Sequence, residues 1–305
     1  MPEPLRSGGP PPGSPNRDLY VRVRSALHAL PGRFKTSLRV AGISAVDLFT
    51  LNTPLGAAIE QSVVDSLNDV REIWDPNGEY KLYNFIRQAQ VFPDVRLETT
   101  APDVPETDRV LMGIELKGWF VLAKEGEPSF RYRASPAVCA PQDLMVVYPW
   151  TLDEVVSGSP KLLRPFVEEA RYAAEHRNYY WTELRGVTGP QAAVVPAQHQ
   201  TPYPNKSQKF NDEAANDSGG NFGRVARGNL MTGFITELMA LPLSGIPAKH
   251  WQSYLKIFAD GAPAAAIDRG LANIRRAVAE AGVAEDKQAA VDALLAAVKG
   301  LVAPD

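Results

Sequence analysis

The chain has almost no cysteine: Cys139 is the single one among 305 residues. That excludes an internal disulfide and any multi-cysteine zinc or iron–sulfur centre. Histidine is nearly as sparse. His28, His176, His199 and His250 are scattered, no two at metal-ligand spacing, and each reads as a surface or satisfied polar histidine. A metal held by this chain therefore rests on oxygen ligands, which suits Mg²⁺ better than zinc. Long hydrophobic runs are missing too: none reaches membrane-spanning length, and the N-terminus lacks a signal-peptide apolar region, so a cytoplasmic protein is expected. Nor is there a surplus of positive charge. The formal net charge of −3 excludes a global pull toward nucleic acid, while leaving room for a basic cleft in an acidic surface.

What is present is an ordinary globular composition, 45% hydrophobic and 22% charged, in a length that suits one large domain or two smaller ones. No internal repeat is visible. Residues 1–16, centred on GGPPPGSP, cannot form a packed element and read as a disordered lead-in. Residues 17–261 read as the core with its insertions. Residues 262–305 form an Ala-rich helical tail, with Ile267, Leu271, Ile274 and Val278 on one stripe and Val291, Leu294, Leu295 and Val298 on another, divided at Gly282.

Within the core, Leu19, Val23, Leu27 and Leu30 mark a short amphipathic helix in a basic stretch. Thr53-Pro54 reads as an N-cap and first helical position, followed by the stripe Leu55, Ile59, Val63, Leu67 and Val70. Residues 80–89 fit a helix end or a first strand equally well. Residues 91–97 form a short strand with Asp94 near its beginning, and residues 109–123, RVLMGIELKGWFVLA, a longer one. There Val110, Met112, Ile114 and Leu116 share one side, and Gly113, Glu115 and Lys117 the other. Residues 129–134 are expected to return as an antiparallel hairpin, and LMVVY at 144–148 to form a central strand buried on both faces. Residues 165–186 carry helical spacing at Phe166, Ala170, Ala173, Trp181 and Leu184, and residues 230–241 read as a buried helix or strand.

The order Pro93-Asp94, some twenty residues, then Glu115-Leu116-Lys117 resembles the PD-(D/E)XK nuclease superfamily, to which many restriction endonucleases belong. The resemblance covers roughly residues 53–150. It implies an α/β (α+β) fold, a mixed β-sheet flanked by helices with a restriction-endonuclease-like core and a helical C-terminal part. It also implies a Mg²⁺-dependent endonuclease acting on double-stranded DNA, with Mn²⁺ as a substitute. Two carboxylates converging from neighbouring strands can hold a hard cation, which activates water and stabilises charge on phosphate. Asp94 and Glu115 would be the ligands with the Leu116 carbonyl, and Lys117 the catalytic cation. Glu60 is matched to the acid that many members carry on the preceding helix; as a residue, it fits a helix boundary position equally well. Asp108 is an alternative first acid, though its place beside Arg109 suits a turn or cap.

DNA contacts are expected outside that core. Arg177 projects from an apolar stripe and needs a partner, either a buried carboxylate or a DNA phosphate or base, with Asn178 beside it. The segment 189–228 is too long for a neutral connection. Its Lys206, Lys209, Asn221, Arg224 and Arg227 suit groove contact, and Gly219-Gly220 allows close backbone approach; a plain surface loop is the other reading. No Gly-Lys-Ser/Thr follows, so it is not a P-loop. A free-standing chain without helicase or ATPase motifs favours a type II, sequence-specific enzyme acting as a homodimer. A non-specific repair or phage nuclease is the nearest alternative, and a non-catalytic DNA-binding or scaffold protein the alternative of another class.

Overall fold

The computed structural model describes residues 2–42, 52–218, 220–259, 263–280, 289 and 292. The molecule is mixed α/β: one six-stranded mixed sheet with flanking helices. Helix α1 (Arg17–Ala29) buries Leu19, Tyr20, Val23, Ala26 and Leu27, the stripe that its sequence spacing marks. Helix α2 (Asn52–Asp69) buries Ile59, Val63, Val64 and Leu67; Pro54 lies in its first turn as expected, and Thr53, read as the N-cap, lies inside the helix as well. A short helix α3 (Arg71–Trp74) follows.

Residues 80–89 resolve into a turn and strand β1 (Asn84–Arg87). The Asn68 side chain borders this strand like a strand residue, accepting the Phe85 N–H and donating to the Phe85 carbonyl, both at 2.9 Å. Strands β2 (Val95–Glu98), β3 (Val110–Phe120) and β4 (Leu144–Leu152) build the centre. β1 and β2 are antiparallel, as are β2 and β3, whereas β3 and β4 are parallel. Every residue of β4 is buried, as expected for a continuously apolar strand covered on both faces. Its far edge is shared by two short antiparallel strands, β5 (Pro160–Leu162) on residues 150–152 and β6 (Phe166–Glu169) on residues 144–147.

Several sequence expectations are corrected. Residues 129–134 form no hairpin strand with β3, whose sheet partners are β2 and β4. They run extended beside the late loops instead, the Tyr132 N–H bonding to the Gly223 carbonyl at 2.8 Å. Residues 165–186 are not one helix. Phe166–Glu169 is claimed by the open edge of β4, helix α4 (Ala170–Tyr179) begins after it, and a π-helical turn spans Tyr180–Leu184. Phe166 and Ala170 lie four apart, a spacing that a strand leading into a helix reproduces by accident.

Residues 232–239 form helix α5 (Thr232–Met239), of which only Leu238 is buried. Helix α6 (Ala248–Ala259) has no counterpart in the sequence reading, and α7 (Ala264–Glu280) is the first tail helix, with Leu271 and Ile274 buried. Gly282, Val291, Leu294, Leu295 and Val298 lie outside the described residues. The described part of the lead-in, residues 2–16, has no helix or strand, but it differs from the disorder expected of it. The Glu169 carboxylate accepts the Ser7 N–H (2.9 Å), Ser7 hydroxyl (2.7 Å) and Gly8 N–H (2.7 Å), and Arg6 pairs with Glu168 at 2.9 Å.

One buried acid ties the start of β4 to β3. Asp143 accepts the Gly113 N–H and the Ala140 N–H, each at 2.7 Å, and the Tyr203 hydroxyl at 3.0 Å. Asp143→Ala would strand these buried donors, at about 1–3 kcal/mol for each backbone N–H. The expected outcome is a clear loss of stability in urea denaturation; a midpoint equal to wild type would refute this role.

Candidate active site

Strand β3 outruns its neighbour. Its pairing with β2 runs from Val95↔Ile114 to Glu98↔Val110, so residues 115–120 have β4 on one edge and, among the described residues, no strand on the other. Along an extended chain the N–H groups alternate between edges, and those of Leu116 and Gly118 face the vacant one. Two carboxylates take the place of a strand there. Asp94 Oδ2 accepts the Leu116 N–H at 3.2 Å, and Glu60 Oε1, from α2, accepts the Gly118 N–H at 3.3 Å. Each satisfies a backbone donor that burial would otherwise make costly.

The same register sets the side chains. Asp94 immediately precedes Val95, hence stands beside Glu115, and its own N–H donates to Glu115 Oε2 at 3.3 Å. The alternation expected of residues 110–117 holds: Met112, Ile114 and Leu116 are buried in the core, while Glu115 and Lys117 share the opposite face. Lys117 Nζ bridges the two acids, 2.6 Å from Asp94 Oδ2 and 3.0 Å from Glu115 Oε1. A single ammonium therefore separates the carboxylates. Gly113, across from Arg96, lies under the Pro93 ring, where a Cβ would collide; that close approach seats Pro93-Asp94 against β3.

Charge is crowded here. Burial, reinforced by the Asp94 carboxylate and opposed by Lys117, pushes the Glu115 carboxyl up to about 7. Burial acts against the Lys117 ammonium, but its two acids outweigh it and hold its pKa above the ordinary lysine range. Burial also raises Glu60, with Lys117 opposing and Asp94 adding to the rise. Glu60 further pairs with Arg87 at 3.2 Å. Asp94, Glu115, Lys117 and Glu60 are thus assembled into one electrostatic cluster. The Leu116 carbonyl leaves β3 on the same edge as its N–H, toward Asp94. Among the described residues, no group of three or more His, Cys, Asp or Glu side chains stands in metal-binding array.

Asp94 and Glu115 open onto a cavity of about 280 Å³ whose walls also carry Gln90, Arg131, Arg133 and Asn211. The two arginines were missed by sequence reasoning. The signal was available in Phe130-Arg131-Tyr132-Arg133, where alternation puts both arginines on one side of an extended chain and Tyr132 on the other.

Arg177 and Asn178 require correction as DNA contacts. Both are buried, and Arg177 Nη2 meets Asp212 Oδ2 at 2.6 Å, the buried-carboxylate alternative. Asn178 donates to the same oxygen at 3.0 Å. Arg177 Nη1 also donates to the Tyr132 and Ala134 carbonyls, each at 2.9 Å. Lys206 and Lys209 are exposed. Arg224 pairs with Glu125 at 3.2 Å, and Arg227 with Glu127 at 2.6 Å and with Asn221 at 2.8 Å. Asn221 and Arg227 line a second cavity of about 360 Å³ with Tyr180, Trp181 and Arg185, and no described lining residue is shared with the acid cavity. Asp108 is exposed and away from the acids, with its carbonyl bonded to the Tyr83 hydroxyl at 3.0 Å.

No family model, curated protein or solved structure matches the chain. No helix among the described residues is long and apolar enough to cross a membrane.

Arg177→Ala would leave the Asp212 carboxylate buried and unpaired, a change that typically costs about 3–5 kcal/mol. Chemical denaturation should register that loss. A variant as stable as wild type but specifically weakened in DNA binding would restore the contact reading.

Proposed function

We propose that the chain is a Mg²⁺-dependent deoxyribonuclease of the PD-(D/E)XK type, cutting double-stranded DNA as a homodimer and most simply as a sequence-specific type II restriction endonuclease. One observation carries the reading: β2–β3 register brings Asp94 and Glu115 to the same Lys117 ammonium, at 2.6 and 3.0 Å. Two acids and a lysine would be a poor choice for inert packing, since burying them is costly. The residues fit a hard cation. Asp94, Glu115 and the Leu116 carbonyl form an all-oxygen donor set, and the rise of Glu115 to about 7 comes first from burial and then from the Asp94 carboxylate, a repulsion that a dication would relieve. When bound, Mg²⁺ or Mn²⁺ would supply an activated water and charge neutralisation at phosphate.

The chain's own groups then have distinct tasks. Asp94 and Glu115 bind and orient. Lys117 carries a permanent positive charge on the reacting face, where it offsets phosphate charge and directs a hydrogen bond at the attacking water. Glu60 positions β3 through Gly118 and shares the field of the cluster. A two-fold duplex is most simply cut on both strands by a two-fold protein, hence the homodimer. A cytoplasmic location follows from a role on intracellular DNA. A non-specific nuclease would share all these groups. The non-catalytic alternative draws on a specific observation, that Asp94 and Glu60 also cap β3 backbone donors.

Purified protein with Mg²⁺ or Mn²⁺ should cut plasmid DNA, and chelation should stop it. Ca²⁺, larger and less exacting in geometry, should permit binding with little cutting. Asp94→Ala, Glu115→Ala and Lys117→Ala should each lower turnover by on the order of a hundredfold or more, the scale of several kcal/mol of lost transition-state stabilisation. Discrete fragments indicate sequence specificity and smears a non-specific nuclease. Wild-type turnover by Glu115→Ala, or no metal-dependent cutting at all, would reject the catalytic assignment.

A further inference from the structure

We propose that Arg131 and Arg133 form the phosphate-binding pair of the acid cavity, gripping the DNA backbone next to Asp94 and Glu115; the DNA part of this inference rests on the nuclease reading. Both arginines line the cavity that the two acids open onto. The acids do not engage either guanidinium. Lys117 already meets both carboxylates, and among the described residues neither arginine pairs with Asp94 or Glu115. Arg133 has one acid, Asp217, at the long distance of 3.7 Å, and its buried Nε has no acceptor among the described residues. No ion pair of Arg131 occurs among the described residues either. A cavity that offers an oxygen pair for a cation and two guanidiniums for an anion matches a metal-bound phosphate ester. Guanidinium forks suit phosphate oxygens because they bind two at once.

The arginines are also held in advance of any ligand. Tyr132 between them is buried, with its hydroxyl donating to the Ala170 carbonyl at 2.9 Å. Its N–H bonds to Gly223, and the Arg133 carbonyl accepts the Asp212 N–H, both at 2.8 Å. Arg177 grips the carbonyls on either side of Arg133, those of Tyr132 and Ala134, at 2.9 Å each. Arg177 is thus a positioning residue for the pair. The Arg131 guanidinium packs against the bare backbone of Gly220, which has φ +63°, and a Cβ there would displace it. Fixing a charged fork in this way lowers the entropy lost on binding.

Three measurements test the pair. Pyrophosphate is added to the metal-free protein and its melting temperature followed, which requires no catalysis. Wild type should be stabilised, Arg131→Ala should not be, and Gly220→Ala, which pushes the guanidinium aside, should respond weakly. Duplex DNA binding in Ca²⁺ is then measured across a salt series. Arg131→Ala should bind all sequences about tenfold more weakly, with the slope of log K against log salt smaller by about one. Arg133→Lys, which keeps the charge but loses the fork, should retain the slope while turnover in Mg²⁺ falls. If wild type cuts DNA and Arg131→Ala matches it in pyrophosphate response, affinity and slope, the arginine pair is wrong and the nuclease reading survives. If pyrophosphate stabilises wild type but not Arg131→Ala, and wild type neither binds nor cuts DNA, the anion site stands and the nuclease reading falls.

Discussion

The open edge of β3 beyond β2 is the constraint on which the site depends. A strand that outlasts its neighbour leaves backbone donors without partners, and inside a protein these must be satisfied. Here Asp94 and Glu60 do so at Leu116 and Gly118. A carboxylate is a stronger acceptor than a carbonyl, so the exchange stabilises the edge while bringing charge to it. Glu115 and Lys117 then project from the same stretch of strand. The backbone problem and the charge cluster have one origin.

A second network, built on Arg177 and Asp212, shapes the opposite wall. Buried ion pairs contribute little net stability, but losing one partner is severe, so they define an arrangement more than they strengthen it. This one defines the path of residues 131–134. Arg177 binds two of their carbonyls, and Asp212 takes part through its N–H to Arg133 and its acceptance of the Ala197 N–H at 3.0 Å. The cavity therefore has an acid side carried by the sheet and a basic side carried by loops that this pair holds in place. That division fits a chain with no excess of positive charge overall, in which the local arrangement of charge matters more than its total.

Much of the acid side was legible from residue order. Period-two alternation in residues 110–117 separates the Met112, Ile114 and Leu116 face from the Glu115 and Lys117 face whatever the partners of the strand. The uniform apolarity of Leu144–Tyr148 required burial on both faces, and the stripe of α1 required one buried side. The basic side was not legible. Arg177 was recognised as needing a partner, but its partner, Asp212, is 35 residues away along a segment without periodic structure. Arg131 and Arg133 sat in what looked like an ordinary hairpin return. Arg224 and Arg227, prominent as charges in a loop, turn out to face Glu125 and Glu127 across the fold.

The sequence by itself determined which residues share a face and which strand is buried throughout. These follow from local geometry and composition, which need no knowledge of distant contacts. Tertiary structure alone decided that β3 extends past β2 and that Phe166–Glu169 joins the sheet rather than the helix behind it. It also decided that Arg177 faces inward and Arg131 lines the acid cavity. The reason is physical: edge vacancy and ion pairing depend on which segments meet, and segments far apart in the chain leave no trace of their meeting in local periodicity.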